Sequence, residues 1–305
     1  MANQTLTTQA WTALLLLSAI WGGSFLSIRI ALDEVPFVTS VAYRVGIAAL
    51  VLWGVVRMRR MALPRSPRVW LALLGMGFLN NVIPFSLMAW GQLHIESGLT
   101  SILNAGTAVF GVLAAALFLA DERLTARRLG GVVIGFFGVA TAIGLANLAQ
   151  FDVRSAAQLA IVGGTISYAL AGVWARLHLR DLAPEVQAAG MLTGSSLMMI
   201  PAALMIDGPT VPQQTDTILA IGYYAVVATA FAYLLYFRVL AMAGSGNTML
   251  CTLMIPPVAI TLGAWVRAET LSANTYLGFG ILALGLLILD GRLLRRLGWG
   301  ATPGP

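Results

Sequence analysis

The sequence predicts an all-α polytopic membrane protein: ten transmembrane helices arranged as two inverted five-helix repeats. Three observations predict this. Of 305 residues, 59% are hydrophobic and only 10% are charged, where soluble chains average roughly 25% charged. The charges lie between long uncharged runs. The two halves repeat one another at a constant offset of 147 residues.

The uncharged runs give the spans in order: 11–28, 69–93, 97–120, 129–151, 155–175, 186–206, 217–237, 239–266 and 270–289. A further run, 37–56, is broken only by Arg44. Each is long enough to cross about 30 Å of hydrocarbon at about 1.5 Å per residue. Backbone in lipid must satisfy its own hydrogen bonds, so these runs are helices. The first run is not expected to be a signal peptide, because residues 1–10 contain no Lys or Arg and a cleavable signal needs a basic start.

All eighteen basic residues are Arg, and their placement predicts orientation through the positive-inside bias. With a cytoplasmic N-terminus, fourteen Arg fall in inside loops, and only Arg29, Arg154 and Arg267 fall outside. Both termini are then cytoplasmic, and the expected location is a bacterial inner membrane. The net charge of +6 is thereby an orientation signal, and no nucleic-acid partner is expected. The short loops leave no room for a soluble domain.

Shifting the chain by 147 residues lays Arg29 on Arg176, Glu122 on Glu269, Leu124 on Leu271, Gly131 on Gly278 and Gly138 on Gly285. Charges are rare here, so paired Arg and Glu at one offset are informative. The expected units are residues 1–147 and 148–294, followed by a cytoplasmic tail, 295–305. Five spans per half is an odd number, so the second half enters the membrane inverted. Two antiparallel copies of one fold can expose a central site alternately to either side.

The motifs resemble those of EamA-type members of the drug/metabolite transporter superfamily. Trp21-Gly22-Gly23-Ser24-Phe25 is similar to that family's Trp-Gly-x-x-Phe signature. Pro36, Arg44 and Ala48 resemble its Pro…Arg-x-x-x-Ala pattern, and Glu122-Arg123-Leu124-Thr125 and Glu269-Thr270-Leu271-Ser272 resemble its Gly-Glu-x-Leu-Ser/Thr element. The resemblance covers about residues 11–294. It departs where Ala108-Val109 replace a proline in span 4, and where Tyr168-Ala169 replace the Trp-Gly pair in span 6. The resemblance implies ten helices and export of small metabolites. Within the family it points to aromatic amino-acid exporters of the YddG kind.

Arg44 is the only formally charged residue inside a span, and a central Arg costs about 2.5–3.5 kcal/mol on insertion scales. Two readings stay open for it: internal pairing or snorkelling, and contact with a substrate carboxylate. Asn80 and Asn81 sit mid-span before Pro84, which removes an N–H and frees a carbonyl one turn earlier; Asn104 sits in span 4. Buried amides need partners from other helices or a wet cavity. Thr252 before Pro256-Pro257 marks a matching irregularity in span 9. Trp21, Phe85, Tyr168, Tyr224 and Phe231 lie too deep for interfacial anchors, so they pack or line a cavity. The candidate substrate-binding set is therefore Trp21, Arg44, Asn80, Asn81, Phe85, Asn104, Tyr168, Tyr224 and Thr252. A pocket of rings and amides suits small neutral, zwitterionic or amphipathic substrates.

Gly131, Gly135 and Gly138 permit close helix packing, within the chain or across a homodimer. Glu122 and Glu269 are expected to brace loops. No span contains Asp or Glu, which predicts facilitative rather than ion-driven transport. His94, His178 and Cys251 form no catalytic or metal-ligand set, so neither an enzyme, a cofactor nor a metal is expected. The expected partners are a small-molecule substrate and membrane lipids. The alternative functions are a transporter of another amphipathic metabolite or drug, and a lipid translocator or membrane scaffold.

Overall fold

A computed structural model describes residues 7–120, 124–144, 152–248 and 250–290. The Asp121-Glu122-Arg123 element and the Arg-bearing tail therefore lie outside the described residues. Among those described, every regular element is helical. We number the helices α1 (Thr8–Ala31), α2 (Phe37–Met58), α3 (Pro67–Gly91), α4 (Ser97–Phe118), α5 (Ala126–Ile143), α6 (Val153–His178), α7 (Pro184–Ile206), α8 (Thr215–Met242), α9 (Leu250–Arg267) and α10 (Ala273–Asp290). Eight are long and apolar enough to cross a membrane; the apolar stretches of α9 and α10, Cys251–Arg267 and Ala273–Leu289, are shorter.

Local chemistry sets the helix ends. Pro67 and Pro184 occupy first-turn positions, where the missing N–H is no loss. Thr7, Thr125 and Asp152 accept backbone N–H groups from Ala10, Arg128 and Ser155 and so cap α1, α5 and α6. Gly144 closes α5 with φ +79°, a conformation glycine adopts without strain.

The surface inverts that of a soluble protein. Large apolar side chains stand exposed all round it: Leu50, Leu117, Phe137, Leu197, Met205, Leu219 and Trp265 among them. Water would not tolerate so much contiguous apolar surface, and lipid requires it. The chain is an integral membrane protein.

The packing obeys a rule. Raising each helix number by five turns α1–α9 into α6–α4, α1–α8 into α6–α3, and α2–α8 into α7–α3; α2–α7 and α5–α10 map onto themselves, and all of these pairs pack together. Glycine makes the α5–α10 contact intimate. A Cβ on Gly138 would fall on the Leu282 backbone, and one on Gly278 on that of Ala142. Gly131 likewise meets the Gly285 carbonyl, and Gly135 the Val109 side chain. This glycine stripe is filled from within the chain, so it offers no face to a dimer.

Helix irregularities differ from the expectation in kind and place. Pro84 does not break α3. Instead Phe78–Val82 widen into a π turn, with the Ile83 N–H bonded to the Phe78 carbonyl. A second π segment, Tyr223–Phe231, stands in α8, and the 147-residue shift carries 78–82 into it. In span 9 the helix runs through Pro256 and Pro257, while its counterpart α4 turns at Gly106 with no proline.

Candidate functional site

The two π segments organise the centre of the bundle. A π turn leaves carbonyls short of intrahelical donors, and here side chains supply them. In α3 the Ser195 hydroxyl reaches the Gly77 carbonyl (3.1 Å) and the Ser167 hydroxyl reaches that of Leu79 (2.6 Å). In α8 the Thr229 hydroxyl donates to the Tyr224 carbonyl five residues back (2.7 Å), and Trp21 Nε1–H donates to Ala228 (3.2 Å). Deep carbonyls are thus served by side chains of neighbouring helices.

Arg44 enters this region from α2. Its Nε–H donates to Thr229 Oγ1 (2.9 Å), and its guanidinium carbon stands 3.7 Å from the centre of the Phe85 ring. No carboxylate among the described residues pairs with it. Arg44 keeps part of its surface accessible while its contacts face α3 and α8, so that surface opens between helices.

An amide network adjoins it. Asn80 Nδ2 donates to Tyr233 Oη (3.2 Å) and to Asn81 Oδ1 (3.1 Å); Tyr233 Oη donates to Asn81 Oδ1 (3.2 Å). Asn81 Nδ2 donates to Ser195 Oγ (2.9 Å). Asn81 is fully enclosed and joins α3 to α7 and α8, whereas Asn80 stays partly accessible. Tyr168 meets Phe85 edge-on at 6.5 Å. It too is partly accessible, and its hydroxyl makes no hydrogen bond among the described residues.

The structure thus brings Arg44, Asn80, Asn81, Phe85 and Tyr168 into one cluster. Trp21 joins its edge through Ala228 and a ring contact with Tyr236 at 5.8 Å. Tyr224 does not face the pocket: it is fully buried, and its hydroxyl is committed to Ser40 Oγ (2.9 Å) and the Ser40 carbonyl (3.2 Å). Asn104 and Thr252 lie on α4 and α9, away from the residues that contact Arg44; Asn104 Oδ1 is buried with no hydrogen-bond partner among the described residues. Phe231 is 47% exposed rather than packed. Tyr233 and Thr229 are the additions that sequence reading missed. Their spacing of four residues, one turn of α8 on the side of Thr229, was the available signal.

A separate cavity of about 790 Å3 lies between α2 and α7, walled by Ala42, Ile47, Leu50, Leu197 and Leu204. None of the Arg44 cluster lines it, and its exposed leucines turn it toward hydrocarbon.

A helical bundle embedded in lipid, built by one packing rule applied twice around a polar centre, has the architecture of a small-molecule membrane transporter. The chain belongs to the EamA-like transporter family, whose pattern matches residues 9–144 and again 155–289. It is 26% identical over 305 residues to a probable terminal-alkyne amino-acid exporter of Streptantibioticus cattleyicolor, covering 97% of this chain and 98% of that one. It is 25% identical to a probable amino-acid metabolite efflux pump of Escherichia coli, covering 90% and 92% respectively. One crystal structure shares the fold with a TM-score of 0.67 at 19% identity, covering 97% of this chain and 99% of its own.

Proposed function

We propose that this transporter exports small neutral or zwitterionic metabolites, amino acids including aromatic ones foremost, by facilitative alternating access through the Arg44 pocket. One observation carries the reading: a guanidinium held at mid-bundle whose partners among the described residues are a hydroxyl and a ring face. A cation so placed is costly unless an anion arrives, and one carboxylate fits it. Asn80 and the Tyr168 hydroxyl offer groups for an α-amino group or a polar side chain. Phe85, Tyr168 and Trp21 offer ring surface for an aromatic one. A phosphate carrying several charges would want more than one Arg.

The names of the two amino-acid exporting relatives support this substrate class. The duplicated family match and the packing rule support two inverted halves, 1–147 and 148–294, whose ten helices all cross the bilayer. The Arg bias supports cytoplasmic termini in a bacterial inner membrane. The described spans hold no carboxylate at the Arg44 pocket to carry a coupling proton. The test is counterflow in proteoliposomes. Internal unlabelled amino acid should accelerate entry of radiolabelled amino acid, and an imposed pH gradient should drive no accumulation. Absence of exchange stimulation across amino acids would overturn the carrier reading.

A further inference from the structure

A guanidinium can grip a planar carboxylate with two parallel N–H···O bonds along either of two edges: Nε with one Nη, or the two Nη together. In Arg44 the first edge is taken, because its Nε–H donates to Thr229 Oγ1 (2.9 Å). One flat face is taken too, with the guanidinium carbon 3.7 Å from the centre of the Phe85 ring. Among the described residues neither Nη has a hydrogen-bond or ion-pair partner. The edge left for a ligand is the one that carries both Nη atoms.

Thr229 is suited to hold the other edge. Its buried hydroxyl has one proton, and that proton goes to the Tyr224 carbonyl (2.7 Å). The oxygen therefore turns lone pairs toward Arg44, which can only donate. In a regular helix a Thr hydroxyl reaches the carbonyl three or four residues back; the π segment of α8 brings the fifth into reach. The bonds then close a ring between two helices. The Tyr224 hydroxyl donates to the Ser40 carbonyl (3.2 Å) and stands 2.9 Å from Ser40 Oγ. Ser40 and Arg44 are four residues apart, on one face of α2. The ring is built on one side of the repeat only. The 147-residue shift lays Thr229 on Val82 and Tyr224 on Gly77, whose carbonyl is served by Ser195 from α7.

We propose that Thr229 is a positioning residue which, backed by Tyr224 and Ser40, holds Arg44 Nε so that a substrate carboxylate docks end-on across both Nη atoms. This deepens the Arg44 reading and rests on it. Both carboxylate oxygens are then needed; a carboxamide offers one acceptor and no charge, and loses the grip. Tyr224, sealed away from the pocket, acts on it through its carbonyl and its hydroxyl.

The test is counterflow in proteoliposomes with an amino acid and with its carboxamide, run on the parent and on four variants. In the parent the amide should have the higher KM. Thr229→Val keeps the shape without the hydroxyl. It should raise KM for the amino acid about tenfold, the effect of losing one of two charge-assisted hydrogen bonds, and leave the amide unmoved. Thr229→Ser keeps the hydroxyl and should restore most of the affinity. Tyr224→Phe cuts the ring one bond further back and should act in the same direction by about 2- to 5-fold; it carries the test if Thr229→Val does not elute monodisperse. A merely structural loss would raise both KM values together, so the acid-to-amide ratio is the readout. Arg44→Gln separates the proposal from the reading beneath it. If Arg44→Gln collapses the ratio while well-folded Thr229→Val and Tyr224→Phe keep the parent value, Arg44 docks the carboxylate and Thr229 does not position it. If Arg44→Gln leaves the ratio intact, both are overturned.

Discussion

Replacing Arg44 with Gln tests the pocket most directly, because the fold and the substrate should respond oppositely. For the fold, the side chain's partners are Thr229 and the Phe85 face. Their loss removes about 1.5–3 kcal/mol for a hydrogen bond to a charged group and about 0.5–2 kcal/mol for the cation–π contact. Against this, a membrane-buried cation costs about 2.5–3.5 kcal/mol, and Gln still reaches toward a hydroxyl. The two sides nearly cancel, so Arg44→Gln should unfold within a few degrees of the parent. For the substrate, a hydrogen bond to a charged group contributes about 1.5–3 kcal/mol. At about 1.4 kcal/mol per tenfold, KM for a zwitterionic amino acid should rise about 10- to 100-fold. The assay is counterflow with an amino acid and with its carboxamide, which lacks the anion. The amino acid should lose affinity and the amide should not. An unchanged KM for the amino acid, or equal losses for both, would refute the role of Arg44 as the carboxylate partner.

Three further outcomes follow from the same geometry. Tyr168→Phe should leave the thermal midpoint unchanged, since the hydroxyl has no bond among the described residues, yet raise KM about 2- to 10-fold if that hydroxyl meets substrate with the strength of a neutral hydrogen bond; a stability loss instead would assign it a structural partner. Gly138→Val should destabilise by about 1–3 kcal/mol through overpacking against the Leu282 backbone, whereas Gly130→Ala, which meets nothing within 4 Å, should be neutral; thermal unfolding in detergent compares them. In the α1–α2 turn, the Gln213 backbone N–H, aided by the Thr217 side chain and the Gln214 N–H, holds the Glu34 carboxyl below its usual value of 4.5. The folded state therefore gains from ionised Glu34 at neutral pH and loses that gain as acid protonates it. The Tm gap between parent and Glu34→Gln should be present at neutral pH and close below about 4.5.

The spans were legible because charge is excluded from lipid, but the uncharged runs mark helix limits only roughly. Arg238, expected in a loop, lies inside α8, and the run expected to begin span 9 at residue 239 starts within that helix, with α9 beginning at Leu250. Arg44, Asn80 and Asn81 were legible for the same reason: polar groups at depth are rare and must be served. What resisted reading was which face each side chain takes. Tyr224 and Tyr168 both sit mid-span in aromatic-rich helices, yet Tyr224 is sealed against Ser40 and Tyr168 is partly open. That difference depends on neighbours from helices far away in sequence. The π segments resisted for another reason. Pro84 signals some defect in α3 but not its type, since a helix can break or widen around a missing donor. In α8 no proline appears at all; the Thr229 hydroxyl, competing for the Tyr224 carbonyl, accompanies the widening. Conversely Pro256 and Pro257 promised a break that the helix absorbs, and Gly106 made one unannounced.

The repeat also explains how a near-symmetric scaffold can hold an oriented molecule. The 147-residue shift lays Trp21 on Tyr168, so each half presents one ring beside a π segment of the other. The same shift lays Arg44 on Met191 and Val82 on Thr229. Where one half offers a cation braced by a hydroxyl, the other offers a thioether, buried beside the Asn80 amide (3.8 Å), and a valine. Symmetry supplies two equivalent walls, which the exchange of access states requires. On the proposed reading, its breaking at these positions would supply a single anchor for a single carboxylate. Two arginines related by the repeat would repel one another across the pocket and favour a doubly charged anion. One arginine with methionine at the repeat-related position would, on the proposed reading, favour a molecule charged at one end and apolar at the other, bound the same way round in either access state.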